Sequence, residues 1–295
     1  MFAAQQFAQV PGAVLRCIAG THREASLACA ARFGLTDVAR DQRLLLVTNL
    51  MQRYNPLFGQ IKELVDSKLL GDVLHGTFEN YACDEGLGPD HWFWDRTKSG
   101  GIFVEHGVHF FDMFAGWLGG GSIESAGRVL RPGSGIEEQV YCTARYGDVP
   151  VTFYHGFTQA GRMDRQELRL LFERGDVTLR EWIPTQAVVR TALDEAATRA
   201  LASIFPGARI DVEDLYPSSE RPLRARHKTY EAYQRITLTS APATKMTVYG
   251  DLLRAMLADQ LAFIAEPSHP RVITEDNGRE SLRMSVRATQ LATSS

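Results

Sequence analysis

The sequence has little of what marks several large protein classes, and each shortage closes a possibility. It carries only four cysteines in 295 residues, Cys17, Cys29, Cys83 and Cys142. They lie far apart and form neither a CxxC pair nor zinc-ribbon spacing, so they read as free thiols in a reducing compartment. No stretch approaches the roughly 20 apolar residues of a membrane-spanning helix. The opening "MFAAQQFAQVPG" lacks the basic start and apolar core of a secretory signal. Formal net charge is only -3, and no basic run stands out, which leaves nucleic acid and anionic membrane without an electrostatic footprint. Internal repeats and low-complexity tracts are also missing. A cytoplasmic globular protein is expected.

What is present is an ordinary core-forming composition, 44% hydrophobic and 23% charged. Its length suits one large domain or two medium ones. Residues 2–10 read as a short helix stopped at Pro11–Gly12. "AVLRCIAG" (Ala13–Gly20) and "RLLLVT" (Arg43–Thr48) are strand-length apolar runs, and "REASLACAARFG" reads as a helix ending at Gly34. This is βαβ material, but too little of it for a full doubly wound domain.

From Asn55 the texture changes. "NPLFGQIKELVDSKLLG" predicts an amphipathic helix with Pro56 in its first turn and Leu57, Ile61, Leu64 and Val65 on one stripe. "DVLHGTFENYA" alternates as a strand. Five strand-like runs follow between Ser122 and Ile183, separated by the turn signals "RPGSG", "GD" and "RGD" of antiparallel hairpins. "TQAVVRTAL", "ARIDVED" and "AYQRITLT" add further strands, and helices at Thr247–Ala265 and Thr274–Thr293 close the chain. The predicted class is α/β plus α+β: a partial Rossmann-like amino-terminal region, then a large, mostly antiparallel open sheet with flanking helices.

Between the first strand and the hairpins lies "SGGIFVEHGVHFFDMF" (Ser99–Phe114), with more titratable groups than a core helix needs. If a helix starts near Ile102, Glu105, His109 and Asp112 share one face, with Phe103, Phe110, Phe114 and Trp117 opposite. A histidine flanked by carboxylates is what general acid–base chemistry requires, because a carboxylate orients the imidazole and stabilises its cation. The Gly100–Gly101 pair would let a ligand approach backbone N–H groups at the helix start. The same polar face reads equally well as simply solvated. A metal is a third reading, weakened because Glu105 and His109 are half a zinc shell and His106 points about 100° away.

"QRYNP" (Gln52–Pro56), the helix after it, "LLGDV" (Leu69–Val73), a strand and "SGGIFVEHGVHFFDMFAGWLG" resemble, in order and spacing, the glucose–fructose oxidoreductase, inositol dehydrogenase and rhizopine-catabolism family, Gfo/Idh/MocA. The resemblance runs from about Arg53 to Gly119 and continues more loosely to the end. It implies a chain that binds NAD or NADP and oxidises or reduces a hydroxyl or carbonyl of a sugar, cyclitol or similar polyol. It places His109 on the family's acid/base histidine, Glu105 on the position of an aspartate, and Asp112 on an acid three residues after the histidine.

The family's G-x-G-x-x-G turn and its Glu-Lys-Pro segment have no counterpart here. The position of the ribose-binding aspartate falls near Gly20, followed by Thr21 and Arg23, which would suit a 2′-phosphate and so NADP. Arg53 would contact substrate or cofactor. Lys62 on the amphipathic helix, Lys68 near its end and Lys98 just ahead of Gly100 are candidates to stand in for the missing one, and Lys98 reads more readily as solvated surface. In "GPDHWFWDRTK", Trp92 and Trp94 would stack on a sugar and His91 would bond a hydroxyl, or the tryptophans would anchor the loop. Tyr154 and His155 line the same pocket or face solvent; the sequence does not choose.

The expected division is residues 1–54, an incomplete NAD(P)-binding region, and residues 55–295, a substrate and oligomerisation domain. Catalytic candidates are His109, Glu105 and Asp112. Substrate candidates are His91, Trp92, Trp94, Lys98, Gly100 and Gly101, and cofactor candidates are Thr21, Arg23 and Arg53. No metal is expected. The partner is a small sugar-like molecule, and the open sheet face implies a homo-oligomer. A second reading is a family-derived binding or assembly protein without a working cofactor site.

Overall fold

A computed structural model describes residues 2–7, 9–13, 47–240 and 243–294. The expected βαβ elements between Ala13 and Thr48 fall outside the described residues except at their ends, as do Thr21 and Arg23.

Helix α1 (Phe2–Phe7) ends before a turn leading to Pro11–Gly12. A 3-10 turn at Met51–Tyr54 leads into α2 (Pro56–Ser67). Asn55 caps that helix, its side-chain oxygen accepting from the Leu57 N–H at 3.0 Å, and Pro56 fills the first turn, where no N–H is needed. Phe58, Ile61, Leu64 and Val65 form its buried stripe. Strand β1 (Val73–Cys83) follows, then a 3-10 turn at Trp92–Trp94 and the single-turn helix α3 (Arg96–Ser99). A π-helical turn at Phe103–Gly107 runs into α4 (Val108–Leu118).

The hairpin region forms as the turn signals predict: β2 (Gly121–Leu130), β3 (Glu137–Tyr146), β4 (Val149–Gln159), β5 (Arg165–Phe172), β6 (Gly175–Arg180) and β7 (Gln186–Leu193). Helix α5 (Glu195–Ile204), β8 (Arg209–Leu215), the short pair β9 (Pro222–Ala225) and β10 (Lys228–Glu231), and β11 (Gln234–Thr239) come next. Helices α6 (Lys245–Ala265) and α7 (Glu275–Ser294) end the chain.

Nine strands form one open sheet in the order β2-β3-β4-β1-β5-β6-β7-β11-β8. All neighbours are antiparallel except β1 and β4, which pair in parallel. Strand β1 therefore sits near the middle, and its alternation sends Phe78, Asn80 and Ala82 to the covered face. Helix α4 lies over that face. Phe110, Phe111, Phe114 and Trp117 pack with Phe58, Phe78, Val151 and Phe153 into one core, where each buried aromatic contributes about 2–3 kcal/mol. A second, smaller core joins Leu50 and Met51 to Ile183, Leu252, Leu253, Met256 and Ile273.

Two elements depart from the sequence reading. Helix α5 was not expected, although Asp194 caps it, accepting from the Ala197 N–H at 2.7 Å, and Leu201 and Ile204 form its buried side. The β9–β10 hairpin turns through Arg226 and His227, both at positive φ (48° and 65°). That backbone ordinarily selects Asn-Gly, so the local sequence carries no turn mark.

Candidate active site

A cavity of about 460 Å³ opens where the covered face of the sheet, the π turn and the second core meet. Its floor is Asn80 and Ala82 of β1, Phe157 of β4 and Gln166 of β5. One wall is Glu105, His106, His109 and Phe110. Met51, Trp182 and Tyr249 form the opposite side. A larger groove of about 850 Å³ between α7 and β2 contains no histidine and is mainly apolar, with charged groups of α7 along it.

The polar floor follows from register. Asn80 pairs with His155 of β4 on one side and Gln166 of β5 on the other. Paired residues point to the same face, so one polar row crosses an otherwise aromatic surface. Asn80 is fully buried, and neither its amide nitrogen nor its amide oxygen has a partner in the protein. Such orphans are rare in folded chains, and here they lie at a cavity. Among the described residues no lysine or arginine lines the cavity, whereas Glu85, Glu105 and Asp164 do.

The helix wall differs from the face counted from Ile102. Glu105 and His109 do line the cavity, but so does His106, because the wall spans a broad arc and the turn beneath it is π rather than α. His106, which ideal helical phase turns away from this face, belongs to the wall. Asp112, expected on the same face, is absent from the cavity lining and buried instead against Arg53. Arg53 grips it with Nε to Oδ2 and Nη2 to Oδ1, both at 2.8 Å. That pairing also occupies Arg53, which tethers the 3-10 turn to α4 rather than lining the cavity. No hydrogen bond joins Glu105 to His109.

Burial sets the electrostatics. It holds the His109 imidazole down at about 4, and burial together with nearby His109 holds His106 at about 3. It raises the Glu105 carboxyl above the usual carboxylate range. Burial also pushes Asp112 up, with the Arg53 bond and charge pulling against that shift. At neutral pH the wall thus presents two uncharged imidazoles, either of which can accept or donate one proton.

The expected loop contacts lie elsewhere. His91 accepts from the Phe93 N–H at 3.3 Å, and Trp92 is 41% exposed. Trp94 donates to the Leu87 carbonyl at 3.0 Å and packs edge-on to Phe157, with Arg131 over its ring. It anchors the loop. Lys98 pairs with Asp95 at the surface, Lys62 with Asp66 and Lys68 with Asp72, so none of these lysines reaches the cavity.

Gly100 and Gly101 have φ of 79° and 95° and turn the chain between α3 and the π turn. Side chains satisfy the N–H groups there: Ser99 Oγ accepts from Gly101 at 3.0 Å and Glu137 from Ile102 at 3.2 Å. The pair shapes the helix start and does not line the cavity.

With this geometry, comparison with known proteins becomes informative. Residues 58–178 match the model of the GFO/IDH/MocA C-terminal domain. Over those residues the chain is similar to that domain. The matched segment runs from α2 to β6 and contains the whole His-bearing wall and the polar row. No curated protein matches the sequence.

Among solved structures, a levoglucosan dehydrogenase in complex with NADH and levoglucosan is similar over 99% of this chain and 93% of that one, at 14% identity and TM-score 0.66. The WlbA dehydrogenase from Bordetella pertussis, in complex with NADH and UDP-GlcNAcA, covers 92% and 66%, at 12% identity and TM-score 0.57. The UDP-N-acetylglucosamine 3-dehydrogenase from Acidithiobacillus ferrooxidans covers 92% and 67%, at 11% identity and TM-score 0.56. At these identities the likeness is one of fold.

Asn80, His106 and Gln166 were not legible as site residues. No local spacing joins the three, and only strand register and the π turn bring them to one cavity.

Proposed function

We propose that this chain is an NAD(P)-dependent oxidoreductase acting on a hydroxyl or carbonyl of a sugar, cyclitol or related polyol, with His109 as its acid/base. The observation that carries the reading is an imidazole held neutral at the wall of a polar-floored cavity within the GFO/IDH/MocA domain. NADH in structures of similar fold supports the cofactor class.

The cavity suits the reacting ends of both ligands. Met51, Trp182 and Tyr249 offer broad apolar surface to a planar ring, while Asn80, Glu105, His106 and His109 offer donors and acceptors to hydroxyls. The volume is too small for a whole dinucleotide. Its remainder would need the amino-terminal region, where Thr21 and Arg23 remain the proposed contacts to a 2′-phosphate. Among the described residues the lining carries Glu85, Glu105 and Asp164 and no cation, which favours a neutral substrate over a carboxylate or phosphate.

When bound, a nicotinamide dinucleotide supplies the hydride acceptor or donor. His109 takes the hydroxyl proton in oxidation and returns it to the oxygen in reduction. Glu105 can accept a hydrogen bond from a neighbouring hydroxyl. Asn80 can donate to one substrate oxygen while accepting from a hydroxyl.

Titration with NADH and NADPH, followed by nicotinamide fluorescence, is expected to show saturable binding. A folded protein that binds neither at millimolar concentration would exclude catalysis and leave the binding or assembly reading. Self-association is proposed through the open outer face of the sheet, which carries Tyr81, Tyr141 and Tyr154. A monomer by light scattering at tens of micromolar would remove that proposal.

A further inference from the structure

Two histidine rings touch beneath the cavity wall. His155, fully buried on β4, and His106, on the π turn, meet through their Nδ1 atoms at 3.0 Å, with ring planes 86° apart. One of those nitrogens must donate and the other accept, so between two neutral rings the tautomers are opposite. The second nitrogen of His155, Nε2, is buried without a partner. Phe78, Phe103 and Phe110 surround that ring at centroid distances of 5.1, 5.9 and 6.0 Å. A Cβ on Gly107 would stand 3.6 Å from Nε2, so the backbone closes the remaining side.

A proton on His155 Nε2 would be a buried donor with nothing to meet. Buried orphan N–H groups are rarer than bare acceptors. The proton of His155 therefore belongs on Nδ1, directed at His106. Accepting there, His106 carries its own proton on Nε2, the ring nitrogen left for the cavity that it lines.

We infer that His155 is a positioning residue that holds His106 as a neutral Nε2–H donor, set beside His109 to bond an oxygen of the bound ligand. The role parallels that of a buried partner that selects the tautomer of a working histidine. Burial keeps both rings below the ordinary histidine range, so the donor does not become a cation near neutrality. Only the nature of the ligand rests on the oxidoreductase reading; the tautomer pair is a property of the free protein.

The test is two-bond ¹⁵N–¹H correlation of the histidine rings in uniformly ¹⁵N-labelled protein at pH 7.5, assigned with His106→Gln. His155 should show a protonated Nδ1 and a bare Nε2, and His106 the reverse. His155→Asn retains a donor near the Nδ1 position and should leave the His106 pattern in place. His155→Phe removes it, and the single-tautomer pattern of His106 should be lost. A wild-type His155 protonated at Nε2, or a His106 pattern unchanged in His155→Phe, would overturn the inference. Should His155→Phe not fold, the wild-type and His155→Asn spectra decide. Failure of the oxidoreductase reading looks different: no nicotinamide binding, with both tautomers intact.

Discussion

Replacing His109 with asparagine is expected to lower turnover by roughly 10²–10⁴-fold, the range that a positioned general acid/base contributes. Asparagine keeps the polarity of the site and much of its shape but cannot exchange a proton, so nicotinamide binding should change little. His109 is held at about 4 by burial. A base of that pKa is already deprotonated at pH 6, so oxidation limited by it should be flat from about pH 6 to 8. It should decline only as pH falls toward 4, where the imidazole takes up a proton. A variant with unchanged turnover, measured with any polyol the wild type oxidises, would take His109 out of the mechanism.

The largest effect on stability is expected at Asp112. Its carboxylate is almost wholly enclosed, with 2% of the side chain exposed against 16% for Arg53, and two 2.8 Å bonds join them. Asp112→Ala would leave the Arg53 guanidinium partly buried with no counter-charge. Breaking a buried pair from one side costs about 3–5 kcal/mol, because the remaining charge keeps its desolvation penalty. The double variant Arg53→Met/Asp112→Leu removes both charges and should recover much of that loss. Urea unfolding of the three proteins reads the cycle. A single-variant loss below about 1 kcal/mol would mean that the pair is solvated and does not hold the 3-10 turn to α4.

These residues also show how far the chain could be read in one dimension. Pro56, Asn55 and the stripe from Phe58 to Val65 specify α2 locally, because capping and 3.6-residue periodicity act within a few positions. The hairpin strands from β2 to β7 were legible for the same reason, since alternation and glycine turns are local. The parallel β1–β4 pair was not, because which strand lies beside another depends on the whole covered face and not on either strand. The β9–β10 turn was hidden because Arg226 and His227 hold a backbone that side chains of their type rarely adopt.

The candidate site divides along the same line. Local spacing was enough to single out Glu105 and His109 and to link their helix to a known family. Asp112 and Arg53 drew notice as well, but as a site acid and a ligand contact; only packing shows that they face each other across two elements. His106 was discounted by counting an ideal helix, and the π turn and the breadth of the wall reversed that. His155 and Gln166 lie 75 and 86 positions beyond Asn80, too far apart for any pattern of spacing to join the three. The sequence by itself determined most of the elements and a helix carrying Glu105 and His109 on one face, since those arise from neighbours along the chain. Only the tertiary structure decided which polar groups share a cavity, because strand register and helix phase place distant residues within bonding distance.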